Sequence, residues 1–221
     1  MLQSCETTLV ILLWCLLMSV VWTVAAYLRA LRMPLDRNLE TDPLGFGLVV
    51  PSLVLAPVVL CVAFRGFGWN LLFPIELFAG HGSVYRAALA PAAVLLLSSG
   101  LAGALTRQIS SERLLWGQQA FATTAVAYGK TIDAATRRLV LCRGFLTAWS
   151  RCLPWIYGEL IIVEAVFNAP GVGLNAWHLA RERDHGGLVA MLAVLIGLYG
   201  ATVALTAWGN SWLGKRLESY A

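Results

Sequence analysis

Charged side chains are scarce in this sequence. Asp, Glu, Lys and Arg make up 13% of the 221 residues, whereas hydrophobic residues make up 59%. A soluble domain carries about 25% charged residues, so this chain has too little polar surface to cover itself in water. In a bilayer, backbone groups must pair inside helices or closed barrels. Barrel strands alternate with a period of two, but these runs are continuously apolar, which predicts an all-α membrane protein.

Motifs for catalysis and metal binding are also missing. The sequence contains no Gly-x-Ser-x-Gly, no His-Glu-x-x-His and no phosphate-binding Gly-x-x-x-x-Gly-Lys-Ser/Thr. The histidines lie far apart and the five cysteines form no Cys-x-x-Cys pair, so we expect neither a metal site nor a disulfide framework. We predict a non-enzyme that binds no cofactor itself. A membrane-embedded hydrolase stays open as an alternative, because acids, histidines and serines occur in or near the apolar runs.

Five apolar runs are long enough to cross a bilayer as helices. The predicted spans cover residues 7–28, 44–64, 87–105, 152–168 and 187–208. The third and fourth spans are separated by a polar stretch, 107–151, that carries seven of the sixteen Lys and Arg residues. A connection of this size and charge is predicted to contact a partner in the cytoplasm.

Lys and Arg residues are unevenly distributed between the two sides of this five-span arrangement. The side that includes 107–151 carries twelve of them and the other side carries four. Because the richer side is usually cytoplasmic, the N-terminus is predicted outside and the C-terminus in the cytoplasm. These basic residues flank predicted spans, so a nucleic-acid partner is not expected.

One short motif precedes the fourth predicted span, and a second begins near the end of that span. The first is Phe121-Ala-Thr-Thr124-Ala125-Val-Ala127-Tyr-Gly129, and the second is Val163-Glu164-Ala-Val-Phe167-Asn-Ala-Pro170-Gly171-Val-Gly173. The small residues of the first motif are compatible with an ordinary amphipathic surface helix, and its last glycine permits a left-handed helix end. In the second motif, the proline ends a helix and the glycines let the backbone double back.

Two acidic residues, Glu159 and Glu164, lie in the fourth predicted span. Acids inside a membrane usually face a partner or water. Glu164 is expected either to accept hydrogen bonds from backbone amides near the Pro170–Gly171 turn or to contact a substrate. Glu159 is a possible pathway residue.

The two motifs together resemble the membrane permease subunits of bacterial ABC importers in the dipeptide, oligopeptide and nickel group. The family patterns are Tyr-x-x-Thr-Ala-x-Ala-Lys-Gly and Val-Glu-x-Val-Phe-x-x-Pro-Gly-x-Gly, in the same order. Ala90-Pro91 and Arg183-Asp184 also fall where the family carries Leu-Pro and Arg-Asp. Tyr128 replaces a basic residue, and family members usually have six spans. The resemblance therefore implies a divergent permease that lacks the first helix.

The resemblance implies one half of a transmembrane pathway, in a bacterial inner membrane, for a peptide-like or nickel-type solute. The stretch 107–151 would hold the ATPase-coupling helix, and the outer turn would be formed by the second motif. The site residues implied are Phe121, Thr124, Ala125, Ala127 and Gly129 for coupling, and Glu164, Phe167, Pro170, Gly171 and Gly173 for the turn.

The same resemblance implies several partners. Two ATPase subunits would bind the ATP and Mg, a second permease subunit would complete the pathway, and an extracytoplasmic solute-binding protein would deliver cargo, all at a lipid membrane. The alternative is a scaffold subunit that transports nothing alone.

Overall fold

The computed structural model describes residues 2–32, 50–73, 84–129 and 131–218. These residues form helices and no strand, so the all-α prediction is confirmed for this part of the chain. The helices are α1 (Leu2–Leu31), α2 (Ser52–Phe67), α3 (Val84–Ala87), α4 (Leu89–Ser98), α5 (Leu101–Gly117), α6 (Ala120–Ala127), α7 (Ile132–Val166), α8 (Val172–Glu182) and α9 (His185–Glu218).

Two of these helices are long and apolar enough to cross a membrane. They are Ser4–Leu31 within α1 and His185–Leu213 within α9, and they contain the predicted spans 7–28 and 187–208. Both carry apolar side chains on their outer surfaces: Val21 and Ile196 are each 69% exposed. Such faces are costly in water and suited to lipid, so the chain has the character of a membrane protein.

The third predicted span, 87–105, is interrupted in the structure. α4 ends at Ser98 and α5 begins at Leu101, and Gly100 between them has a φ of 70°. A left-handed φ ends the regular helix, and glycine adopts it without steric cost. The bent pair counts as a third candidate span if it is taken as one broken helix.

The helices at the other two predicted spans are not both long and apolar enough to cross a membrane. α2 has only 16 residues, with Pro57 inside it, and residues 44–49 of the predicted span lie outside the described part. The predicted span 152–168 ends just beyond α7, a helix of 35 residues whose charged side chains make it too polar. Five spans are therefore not shown; the described residues contain two candidates, or three with the broken pair.

The predicted polar connection 107–151 is mostly helical. α5 continues to Gly117 and α7 begins at Ile132, with α6 between them. Arg, Gln and Glu are good helix formers, so their appearance after an apolar run changes the helix surface without ending the helix. The predicted short connection 169–186 likewise contains α8, which buries Val172, Leu174 and Ala176 on one face.

The chain divides into two compact units. The first consists of Met1–Met18, Val49–Gly100 and Pro154–Ala201; the second consists of Ser19–Leu48, Leu101–Leu153 and Thr202–Ala221. Fully buried side chains in the first unit include Ile11, Leu95, Ile156, Leu160 and Phe167. In the second unit Tyr27, Ile109 and Val140 form a buried cluster, against which Trp116 and Leu141 pack.

Candidate functional site

The second motif surrounds a fully buried carboxylate, that of Glu164. Its Oε2 accepts hydrogen bonds from the backbone amides of Gly173 at 2.7 Å and Leu174 at 3.2 Å. Its Oε1 accepts from the Thr8 hydroxyl at 2.7 Å. The predicted contact with backbone amides after the turn is thus confirmed, whereas contact with a substrate stays a prediction.

Thr8 of α1 completes the same cluster. While its hydroxyl donates to Glu164, it accepts from the backbone amide of Val172 at 2.9 Å. The first amides of a helix lack intrahelical acceptors and carry partial positive charge, which favours a nearby anion. Gly171 at the N-cap of α8 has no side chain to serve this purpose. Residues from α1 and α7 therefore cap α8 together.

The two glycines of the motif are required because the backbone passes very close to Glu164. A Cβ at Gly171 would overlap the Glu164 carboxyl group, although its φ of −94° is open to any residue. A Cβ at Gly173 would lie 2.8 Å from the Cα of Ile161 and 2.9 Å from Glu164 Oε2. Glycine is therefore selected at both positions by close approach.

The end of α7 is also fixed by Glu164, through its carbonyl. The amide of Ala169 donates to that carbonyl at 2.8 Å, and Asn168 between them has a φ of 53°. A left-handed residue followed by this bond is the Schellman ending of a helix, where Asn is tolerated. The carbonyl of Phe167 accepts from the Phe73 amide at 3.1 Å, and buried Pro170 prevents the helix from continuing.

Glu159 also caps a helix. Its Oε2 accepts from the Ser52 amide at 2.9 Å, at the start of α2, where Pro51 at the N-cap provides no side-chain hydrogen bond. The predicted role of Glu159 in a pathway stays a prediction. Asp184 acts similarly at α9, where its Oδ1 accepts from the Gly187 amide at 3.1 Å.

The first motif forms α6 and the turn that follows it. Ala122 is fully buried, while Thr124, Ala127 and Gly129 are exposed and Ala125 is half-buried. Gly129 has a φ of 77°, which confirms the predicted left-handed ending. The backbone of Phe121 belongs to α6, but its side chain lies outside the described part. The small residues named for coupling thus lie on or beside one exposed short helix.

The helices on either side of α6 are joined by a polar cluster around Glu112 of α5. This side chain is 5% exposed. It accepts from Gln108 Nε2 and from Trp116 Nε1, both at 2.9 Å. Arg143 of α7 reaches it at 3.8 Å and stacks over the Trp116 ring at 5.5 Å. One carboxylate therefore links α5 to α7 close to α6.

Two further contacts hold α5 in place, one with α7 and one with α1. A Cβ at Gly144 of α7 would lie 2.7 Å from the Ile109 side chain, so the two helices pack closely there. The buried guanidinium of Arg113 donates to the carbonyl of Ala30, near the end of α1. Arg113 was predicted as part of a charged connection; it instead satisfies a carbonyl that the helix end leaves free.

Thr8 and Glu112 were not among the predicted site residues. The signal for Glu112 was available, because Gln108 and Trp116 lie one turn before and after it on one helix face. Thr8 offered no such signal, because its partners are more than 150 residues away in the sequence.

All five cysteines are described and free. Within the described ranges no three His, Cys, Asp or Glu side chains come together as metal ligands.

No protein-family model matches the chain, and none of the curated proteins matches it.

Proposed function

We propose that this chain is the membrane permease subunit of an ABC importer and forms half of the pathway for a peptide-like or nickel-type solute. The observation that carries the proposal is α6. It is a short helix with exposed small residues, held between two long helices that are joined by the Glu112 cluster. The geometry of the second motif supports the same proposal, because Glu164, Gly171 and Gly173 each have a structural role in the turn between α7 and α8.

In this proposal α6 docks on an ATPase subunit. Ala127 and Gly129 are exposed and present little side chain, so a partner groove can approach the backbone closely. Force applied to α6 passes to α5 and α7, because only two residues separate α5 from α6 and Glu112 joins the flanking helices. The ATPases supply ATP and Mg chemistry.

The outer turn serves as a rigid junction in this proposal. Glu164 and Thr8 connect α7, α8 and α1 through buried hydrogen bonds. Movement of α7 is thereby transmitted to α8, which lies on the side where a solute-binding protein docks. The chain has its N-terminus outside a bacterial inner membrane, and a second permease subunit completes the pathway.

Co-purification tests the proposal. Tagged chain is isolated from its native membranes, and the ATP-binding subunit recovered per chain is measured together with ATP hydrolysis. Ala127→Trp places a large ring on the docking face and is expected to reduce this recovery several-fold. Tyr128→Trp is the matched control, because position 128 already carries an aromatic ring that is 83% exposed.

Recovery of equal ATPase with parent and Ala127→Trp contradicts docking through α6. If the parent chain recovers the ATPase, but the ATPase hydrolyses ATP equally fast with and without the chain, the result supports the scaffold alternative. Absence of an ATP-binding subunit from the parent sample contradicts both.

A further inference from the structure

α8 is tied to the first residues of both helices that are long and apolar enough to cross a membrane. The candidate span within α1 begins at Ser4, whose hydroxyl accepts a hydrogen bond from Asn175 Nδ2 of α8 at 2.6 Å. The candidate span within α9 begins at His185, and α8 ends just before it, at Glu182. α8 therefore joins the beginnings of the two apolar helices.

The two candidate spans begin in the same membrane leaflet. Most of the chain between Asn175 and His185 is helical, so this stretch reaches about 20 Å at most, at a rise of about 1.5 Å per helical residue. The hydrocarbon core of a bilayer is about 30 Å thick. His185 therefore lies on the same side of that core as Ser4, which is bonded to Asn175.

The lengths of the two helices give the depth of α8. Ser4–Leu31 has 28 residues and His185–Leu213 has 29, which correspond to about 42 Å and about 44 Å. A bilayer with its headgroup layers is about 40–45 Å thick. A helix of this length that crosses the bilayer begins among the headgroups of one leaflet. Because α8 is joined to both beginnings, it lies in or beside that headgroup layer.

The outward face of α8 has the composition of a membrane interface. α8 buries its apolar residues on one face, and the opposite face carries Trp177, which is 58% exposed. Exposed Arg181 follows by four residues and shares this face. Tryptophan is enriched at membrane–water interfaces, and guanidinium groups match phosphate oxygens. An apolar surface continues from here onto α9, where Val189 is 66% exposed one turn after His185.

We propose that the face of α8 around Trp177 contacts the headgroup layer of the phospholipid bilayer. The indole ring lies at the boundary between headgroups and acyl chains, and the Arg181 guanidinium lies toward the phosphates. This contact rests on the membrane character of α1 and α9 and is independent of the transport function.

Photo-cross-linking in native membranes tests the contact. Benzoylphenylalanine is placed at position 177, where it replaces one aromatic side chain by another, and intact-protein mass spectrometry after delipidation measures the fraction of chain that carries a covalently bound phospholipid. Position 189 on the apolar surface of α9 is the positive control, and position 177 is expected to give a comparable phospholipid adduct. Position 128 is the matched control, because its tyrosine is 83% exposed and lies outside both candidate spans; it is expected to give several-fold less.

A second insertion leaves Trp177 in place. Benzoylphenylalanine at position 180, which is exposed on the same helix, is also expected to capture phospholipid. Phospholipid adducts from 177 and 180 that exceed the adduct from 128 support the contact. Capture of a protein in place of lipid from both positions assigns this face to a protein partner and overturns it. Absence of adducts from both positions, in membranes where position 189 captures lipid, shows a face in water and also overturns it, as does an equal yield from position 128.

Discussion

At the scale of single residues, Glu164 ends one helix and begins another. Its carbonyl accepts the bond that closes α7, and its carboxylate accepts from the first amides of α8. Burying a charge is costly unless hydrogen bonds compensate. Here three donors surround the carboxylate, and the partial positive charge of a helix N-terminus adds to them. The Glu164 carboxylate, which the sequence analysis offered as a contact for a substrate, therefore accepts its hydrogen bonds from its own chain.

Two replacements of Glu164 distinguish the effect of losing its hydrogen-bond acceptor from the effect of losing its negative charge alone. Glu164→Ala leaves the amides of Gly173 and Leu174 without an acceptor and is expected to cost about 2–4 kcal/mol of unfolding free energy. Glu164→Gln keeps a carbonyl oxygen for those amides and is expected to cost about 1 kcal/mol. Unfolding in SDS titrations measures both values.

Glu159→Ala is the control, since it removes a similar carboxylate that accepts one amide hydrogen bond. The expected order of loss is Glu164→Ala first, then Glu159→Ala and Glu164→Gln. An alanine variant at 164 that is as stable as the parent shows that the carboxylate does not hold the turn.

At the scale of elements, α5, α6 and α7 form a hairpin in which the short helix occupies the tip. The pair is held by close packing at Gly144 and by the hydrogen bonds of Glu112. The ion pair with Arg143 is long, at 3.8 Å, and Arg143 is half-exposed. Exposed pairs of this kind contribute about 0–1 kcal/mol, so the buried neutral donors account for most of the stabilisation.

A double-mutant cycle tests this division. Glu112→Ala removes the acceptor for Gln108 and Trp116 and is expected to cost about 1–3 kcal/mol. Arg143→Ala is expected to cost less, with a coupling energy of about 0.5 kcal/mol between the two positions. SDS-induced unfolding of the two single variants and the double variant supplies the cycle. A coupling energy close to the whole loss at Glu112 assigns the stability to the ion pair and contradicts this account.

The helices themselves were predictable where an apolar run was long and uninterrupted, as in α1 and α9. The hairpin was predicted as a polar connection because its charged residues were taken to indicate a loss of helical structure. In the structure Arg107, Gln108 and Glu112 continue α5, and Arg137 and Arg138 lie in the first two turns of α7. α8 was missed because it is too short and polar for a span, although Val172, Ala176 and Leu179 follow a helical period. The turn at Glu164 was predicted from its proline and glycines, but Thr8 depends on tertiary contact that no local pattern reveals.

At the scale of the whole molecule, the exposed surfaces of α1 and α9 are mostly apolar. Little of α9 is buried by the rest of the chain, so this helix is free to face lipid or a second subunit. Among the described residues, exposed polar side chains occur around α6 and the adjoining ends of α5 and α7, and also on α8. Our proposal assigns these two polar regions to different partners.

Photo-cross-linking from the two short helices tests that central claim most directly. Benzoylphenylalanine is placed at position 127 of α6 or position 177 of α8, and cross-linked bands from native membranes are identified by mass spectrometry. The account predicts that position 127 captures a subunit containing the phosphate loop Gly-x-x-x-x-Gly-Lys-Ser/Thr and that position 177 does not. An inserted chain that captures no such subunit from position 127, or captures it equally from both positions, would contradict the assignment.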